Sequence, residues 1–320
     1  EIVFQNVANS HVAACRAFLK EMKLGWQIVN QDLDIQLCLR HASEAMNNQR
    51  IAYGADTREV EYDSKTKEIS ILGSSPHEAT AQQARWRPFQ IAFVLANIER
   101  ASQVEEISDK SVDVIWMPTG GGKTEAYLGL SAFIILWERR LQILEKRKGS
   151  KAGTTKVFMR YTYRLLTIQQ LTRAASLICA LEILREKNSE RYGSGEVRIG
   201  CWLGGQSTPN TRKQAVIRYK AAKKLFNGKK SSFVLTKCPW CGARMGQVFD
   251  GQPVGYRIVK TGKEDRVMTH CPDKTCHFRE RTITNAQGTV LDRGLPLLDT
   301  DEVLYDFPPD FVVGTVDKVA

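Results

Sequence analysis

Apolar residues recur at helical spacing through Val12–Met22 and again from Leu33 to Met46, which predicts helices with one buried face. Val60–Leu72 alternates instead, with a polar turn at its middle, and reads as a β-hairpin. After a polar link from Ser74 to Gln83 the pattern changes. Val112–Met117 is a short apolar strand, Pro118–Gly122 a loop, and Lys123–Leu144 a long amphipathic helix. The same alternation returns twice. Strands at Lys156–Arg160 and Val197–Leu203 precede helices at Leu166–Arg185 and about Asn210–Phe226, which implies an α/β fold with a parallel sheet covered on both faces. Residues Ser232–Thr284 interrupt the alternation, and Phe311–Thr315 resumes it as a core strand after Pro308-Pro309. The expected organisation is therefore a mostly helical N-terminal domain over residues 1–84 and a sheet domain over 85–231 and 285–320. An insertion over 232–284 splits the sheet domain.

Composition narrows the class. With 320 residues, two or three domains are expected. Hydrophobic residues at 42% and charged residues at 25% exclude a collagen-like or largely disordered chain. The longest apolar stretch, Ala126–Trp137, is too short to cross a bilayer, so no membrane partner is expected. A first residue of Glu1 and a core-like tail at Phe311–Ala320 fit a piece of a longer protein. The formal charge is +11, and its placement is uneven: Arg139–Lys230 holds 22 Lys/Arg against 5 Asp/Glu. A polyanion suits such a concentration, the alternative being a set of solvated helix faces.

Cys15, Cys38, Cys179 and Cys201 stand alone and are read as small hydrophobes without a function. The other four form Cys238-Pro-Trp-Cys241 and Cys271-Pro-Asp-Lys-Thr-Cys276, separated by 29 residues. Two close pairs joined by one hairpin's worth of chain suit tetrahedral Zn²⁺, since each turn supplies two thiolates. Gly242 fits a tight turn after the first pair. Disulfides are the alternative, and His270 and His277 remain possible substitute ligands. Arg244, Lys260, Lys263 and Arg266 in this unit are either nucleic-acid contacts or solvated hairpin charges.

Pro118-Thr-Gly-Gly-Gly-Lys-Thr124 lies between strand and helix, where a Walker A phosphate loop belongs. Thr119, Gly120, Gly121 and Gly122 let backbone N–H groups face one concavity at a helix N-terminus. There Lys123 would reach the β- and γ-phosphates of ATP, and the Thr124 hydroxyl would ligate Mg²⁺. Met117 stands where the general consensus begins with glycine. The form present resembles the variant found in superfamily-2 helicases.

Further segments resemble those helicases in the same order. Trp86-Arg-Pro-Phe-Gln90 resembles their adenine-recognising segment, with Gln90 on the base edge and Phe89 beside it. Arg160–Gln170 resembles their first nucleic-acid motif, with Thr162, Arg164 and Gln169 as candidates. Gly204-Gly205 and Gly314–Lys318 stand at the next two backbone-contacting motifs, where Gly314-Thr315 would start a helix touching the tracking strand. The runs Trp116–Leu130, Met159–Gln170 and Gly314–Ala320, with the inserted Cys238–Cys241 unit, are together similar to the DrmA family, helicase-like subunits of DISARM anti-phage defence systems. That resemblance implies a RecA-like sheet domain with a zinc-ribbon insertion. It also implies a cytoplasmic bacterial ATPase that binds DNA beside a partner subunit and restricts phage DNA. The family's acidic Mg²⁺ motif and second RecA-like domain would follow Ala320, so residues 1–320 alone are expected to turn ATP over poorly. The alternative is a scaffold that binds nucleic acid or a partner without hydrolysis.

Overall fold

The computed structural model describes residues 2–77, 85–103, 112–115, 120–144, 154–162, 164–261, 264–284 and 290–316. Two compact units form from interleaved stretches. Glu1–Met46, Gln83–Ser150 and Asn188–Gly193 make the first, and Asn47–Gln82, Lys151–Lys187 and Ser194–Ala320 the second.

The first unit is helical. It holds α1 (Ile2–Gln31), the greater part of α2 (Leu33–Gly54), α3 (Pro88–Ser102), α4 (Lys123–Ile143) and the short α6 (Ser189–Tyr192). Asp32 separates the first two helices and caps the second, its carboxylate accepting from the N–H groups of Asp34 at 2.8 Å and Ile35 at 3.0 Å. Helices α1 and α3 cross closely because position 25 is glycine: a Cβ there would lie 1.8 Å from the Leu95 carbonyl oxygen. Apolar side chains surround α4, which is accordingly buried from Ala126 to Leu141 on most faces. The Trp137 indole N–H donates to the Ser102 carbonyl at 3.0 Å, so its ring is buried without an orphaned donor. Tyr192 is fully buried with its hydroxyl 2.7 Å from His41 Nδ1. Arg140 and Arg191 both pair with Asp34.

The expected strand at Val112–Met117 does not form over its described part. Val112–Ile115 carry no strand pairing, and Val112 and Val114 are exposed; Trp116 and Met117 lie outside the described residues. An apolar run of this length acquires strand geometry only when a neighbouring strand accepts its backbone groups, and none does so among the described residues.

The second unit contains a four-stranded, wholly parallel sheet in the order β11-β4-β12-β3. Its strands are β3 (Val157–Tyr161), β4 (Ile199–Trp202), β11 (Leu297–Leu298) and β12 (Phe311–Thr315). The uninterrupted apolar character of Phe311-Val-Val reflects a central strand buried on both faces. Helix α5 (Arg164–Lys187) packs on β3, β4 and β12, while α8 (Asp301–Asp306) precedes the last strand. Helix α7 (Arg212–Ala222) starts at Thr211, whose hydroxyl accepts from Gln214 N–H at 3.2 Å, while the Gln214 side chain accepts from Asn210 N–H at 2.9 Å. The hairpin expected near residue 60 is present as β1 (Val60–Asp63) and β2 (Glu68–Ile71). The cysteine-bearing insertion holds short antiparallel pairs, β5 (Val248–Phe249) with β6 (Gln252–Pro253) and β7 (Tyr256–Thr261) with β8 (Glu264–Thr269), while β9 (Arg281–Thr284) at its end pairs with β10 (Val290–Arg293) beyond its expected boundary. Among the described residues no helix is long and apolar enough to cross a membrane.

Asp299 follows β11, and burial pushes its carboxyl up to about 6. A folded pKa above the unfolded value means that this group favours folding below pH 4 and that the benefit is lost as pH rises through 6. Asp299→Asn should therefore leave stability unchanged near pH 4 and raise it by about 3 kcal/mol at pH 7.5, measured by chemical denaturation. Equal effects at both pH values would show that the carboxyl is not strained by burial.

Candidate functional sites

The glycine-rich loop of the first unit runs into α4. Gly120 and Gly122 have φ of +78° and +90°, a region that side chains strain to enter. Gly122 is the residue before the helix, at the positive end of the helix dipole, and among the described residues no side chain caps it. The loop carbonyls are held from the other side. Arg87 Nη1 donates to Gly121 O at 2.7 Å, and Gln90 Nε2 donates to Gly122 O at 2.8 Å. The Gln90 oxygen accepts from Arg87 N–H at 2.9 Å, which uses both ends of a buried amide. Gln90 thus holds the loop, with Phe89 half-buried beside it. Lys123 and Thr124 begin α4, and the Thr124 hydroxyl lies 3.4 Å from Tyr127 Oη. Thr119 lies outside the described residues. Arg87 carried no assigned role in the sequence reading, although its place three residues before Gln90 fits a capping box.

The second unit brings three of the sequence-derived segments to one sheet edge. Gly314 stands opposite Arg160 on β3 and Trp202 on β4, and Thr315 opposite Tyr161, so the carboxyl ends of the three strands align. Exposed Thr162 follows β3 and Gly204-Gly205 follow β4, at the edge where parallel α/β sheets bind ligands. The Gly204 carbonyl accepts from Ser207 and Thr208 N–H at 2.9 and 3.0 Å, and Arg218 donates to Ser207 O at 3.0 Å and to Gly205 O. Gly314 and Thr315 do not start a helix as expected. They are buried residues of β12, where Gly314 is paired on both sides, with β3 and β4, and Thr315 is held by β3. Arg164 opens α5, and Gln169 further along donates to Tyr53 Oη at 3.5 Å. Tyr53 also lies under the Arg173 guanidinium, 5.2 Å from the ring centre; neither Tyr53 nor Arg173 carried a sequence signal.

The sulfurs of Cys238, Cys241, Cys271 and Cys276 are buried and lie within 4.8 Å of one another. Each pair sits on a tight turn: Cys238 O accepts from Gly242 N–H at 3.0 Å, and Asp273 O from Cys276 N–H at 3.0 Å. Gly242 has φ +78°, and a Cβ there would meet Asp56 O at 2.6 Å. Hydrogen bonds from Cys238, Cys271 and Cys276 pull the Cys241 thiol far down, whereas burial pushes Cys238 up. Four ionised sulfurs at this spacing repel unless a cation lies between them, so the donor set fits a metal ion such as zinc. His270 and His277 stand outside the cluster. His270 Nδ1 is 3.2 Å from Cys271 O, and His277 is 2.8 Å from the Glu186 carboxylate. Of the lone cysteines, Cys15 is exposed, while burial raises the thiols of Cys38, Cys179 and Cys201 and keeps them protonated.

Residues well before the insertion buttress this centre. Arg58 N–H donates to Gly242 O at 2.9 Å, its own carbonyl accepts from Arg244 N–H at 2.8 Å, and its guanidinium meets Asp273 at 2.7 Å. Burial works against the Asp273 carboxylate, yet bonds from Thr275 and Arg58 hold its pKa below the usual range. His77 stacks on Trp240 at 3.7 Å, and Tyr62 stacks on Phe249 at 5.0 Å. Arg244, a possible nucleic-acid contact by sequence, pairs instead with Glu59; Arg266 is half-buried, Lys260 exposed, and Lys263 outside the described residues. Cys271→Ser should lower bound metal below one equivalent and raise amide exchange over residues 55–58 together with 238–246 and 271–279. Unchanged protection of 55–58 alongside metal loss would separate the N-terminal buttress from the centre.

No family profile matches the chain. Over 249 residues, or 76% of its length, it is 34% identical to the DISARM protein DrmA of Bacillus paralicheniformis. That stretch amounts to 20% of the relative. The similarity named from the loop, the strand-end segments and the cysteine unit is thereby shown: this chain resembles DrmA over most of its own length and a fifth of DrmA's.

Proposed function

We propose that the chain is the N-terminal part of an ATP-dependent DNA translocase or helicase of superfamily 2 that acts in anti-phage defence. The observation that carries this reading is the glycine loop at the uncapped start of α4, with Lys123-Thr124 as its first helical residues. In this reading the N–H groups after Gly120–Gly122 bind the phosphates of ATP, Lys123 holds the β- and γ-phosphates, and the Thr124 hydroxyl ligates Mg²⁺. Arg87 and Gln90 keep the loop carbonyls turned away from the anion. Thr162, Gly204-Gly205 and the end of β12 face the nucleic-acid backbone at the sheet's carboxyl edge, with Arg164 and Gln169 beside them. Residues 85–231 and 285–320 then form a RecA-like domain, and 232–284 a zinc ribbon whose Zn²⁺ holds the two cysteine turns together. Similarity to a DISARM protein supports a defence role, a cytoplasmic site of action and a second subunit as partner.

A second reading is a scaffold that binds nucleic acid or a partner without hydrolysis. It is favoured by Gln90, whose amide is engaged with Gly122 and Arg87 rather than open to a base. Hydrolysis separates the two. In the full-length protein, DNA should stimulate ATP turnover, and Lys123→Ala should lower kcat by about 100-fold or more while leaving the Kd for DNA unchanged. Turnover that survives Lys123→Ala would refute the loop's assignment. No turnover with any DNA or partner subunit would favour the scaffold.

A further inference from the structure

Between Lys213 and Lys230 the chain carries seven basic residues and no acidic one. Arg218 is committed to the turn at Gly205–Ser207, but Lys213, Lys220, Lys223, Lys224, Lys229 and Lys230 are exposed, and among the described residues no ion pair reaches them. At about 100° per residue, Lys213, Ile217, Lys220 and Lys224 fall within one narrow stripe along α7 and its continuation. The opposite face is fixed. Ala215, Tyr219 and Ala222 are buried where α7 packs on β7 and β8, and Tyr219 Oη donates to Gln252 at 3.2 Å. Arg212 anchors the start of the helix to Glu302 and Asp306.

Past the helix, Phe226 is 83% exposed. The backbone around it is nonetheless held, with Gly228 N–H donating to Val248 O at 2.8 Å and Val248 N–H donating to Lys229 O at 3.0 Å. A rigid helix that presents lysines in a row, followed by a fixed exposed aromatic ring, matches the two needs of an unpaired strand: cations for phosphates and a flat surface for a base. Solvated lysines alone do not explain an aromatic ring held in water by a pinned turn. Arg218, on another face of α7, ties the helix to the sheet edge by gripping the turn that follows β4.

We propose that the Lys213–Lys220–Lys224 stripe and Phe226 form a docking rail for single-stranded nucleic acid, extending the strand-end site along α7. This rests on the reading that nucleic acid meets that edge. The lysines neutralise successive phosphates, and Phe226 stacks on one base.

The test is fluorescence anisotropy of a labelled single strand and of the matching duplex, over about 50 to 200 mM salt. It compares the wild-type chain, the triple variant Lys213→Gln/Lys220→Gln/Lys224→Gln, and Phe226→Ala. Three lost phosphate contacts should reduce the single-strand slope of log K against log salt by about 2. Phe226→Ala should weaken single-strand binding by about tenfold, leaving the salt slope and duplex binding unchanged. If the wild-type chain binds and the triple variant keeps both affinity and slope, the rail is wrong while the proposed function stands. If the wild-type chain binds neither form at any salt, the nucleic-acid reading fails together with the rail. A triple variant that loses an acidic protein partner but binds DNA normally would overturn the proposal in favour of a protein interface. Equal loss on strand and duplex with Phe226→Ala would remove the stacking role.

Discussion

Four buried sulfur atoms within 4.8 Å of one another make a donor set that fits a metal ion, and much of the second unit packs around it. The two cysteine turns come from segments 29 residues apart, and Trp240 beside one meets Phe278 beside the other, ring centroids 6.0 Å apart. Other parts of the chain hold them as well. Arg58 bridges the turns, touching Gly242 on one and Asp273 on the other. Helix α5 supports them from the sheet side, through Ser176, whose hydroxyl donates to Pro239 O at 2.7 Å, and through Glu186, which pairs with His277 and Arg281. The centre thus links residues 55–77, the cysteine turns and the helix that covers the parallel sheet.

A second constraint acts where backbone must meet an anion. Phosphate binding needs N–H groups that converge without side chains in the way, and in the proposed function the glycines at 120–122 of the first unit would provide that. Their carbonyls must then point elsewhere and find donors, which is the part played by Arg87 and Gln90. In the second unit the parallel strands end together, so N–H groups and short polar side chains after β3 and β4 gather on one edge. The basic excess between Arg139 and Lys230 divides between two uses. Arg140, Arg185, Arg191, Arg198 and Arg212 are drawn into ion pairs with Asp34, Glu182, Glu196, Glu302 and Asp306, whereas the lysines of α7 and the turn after it stay in water. Arginine suits the former because its planar fork satisfies a carboxylate with less loss of freedom.

Local signals survive into the structure wherever neighbours agree with them. Hairpin alternation at 60–72, helical spacing in α2 and α5 and the cysteine spacings all describe interactions within a short stretch, and each is present. Val112–Ile115 reads as a strand because its residues are apolar, but strand geometry depends on a partner that local sequence does not specify. Gly314-Thr315 was assigned to a helix start by resemblance, while burial of β12 between two neighbours holds it in the sheet. Arg58, Tyr53 and His77 escaped notice because they act through contacts distant in sequence, which nothing in the flanking residues marks. Arg87 had a local signal, its spacing from Gln90, but its contact with Gly121 is long-range.

The central claim is that the carboxyl edge of the parallel sheet faces nucleic acid. Hydrogen exchange of the chain with and without a saturating single-stranded oligonucleotide tests it most directly. The account predicts added protection at Thr162 and across Trp202–Ser207, with little change in the antiparallel strands β9 and β10. Protection confined to the cysteine turns, with the strand ends unchanged, would contradict it and move recognition to the metal unit.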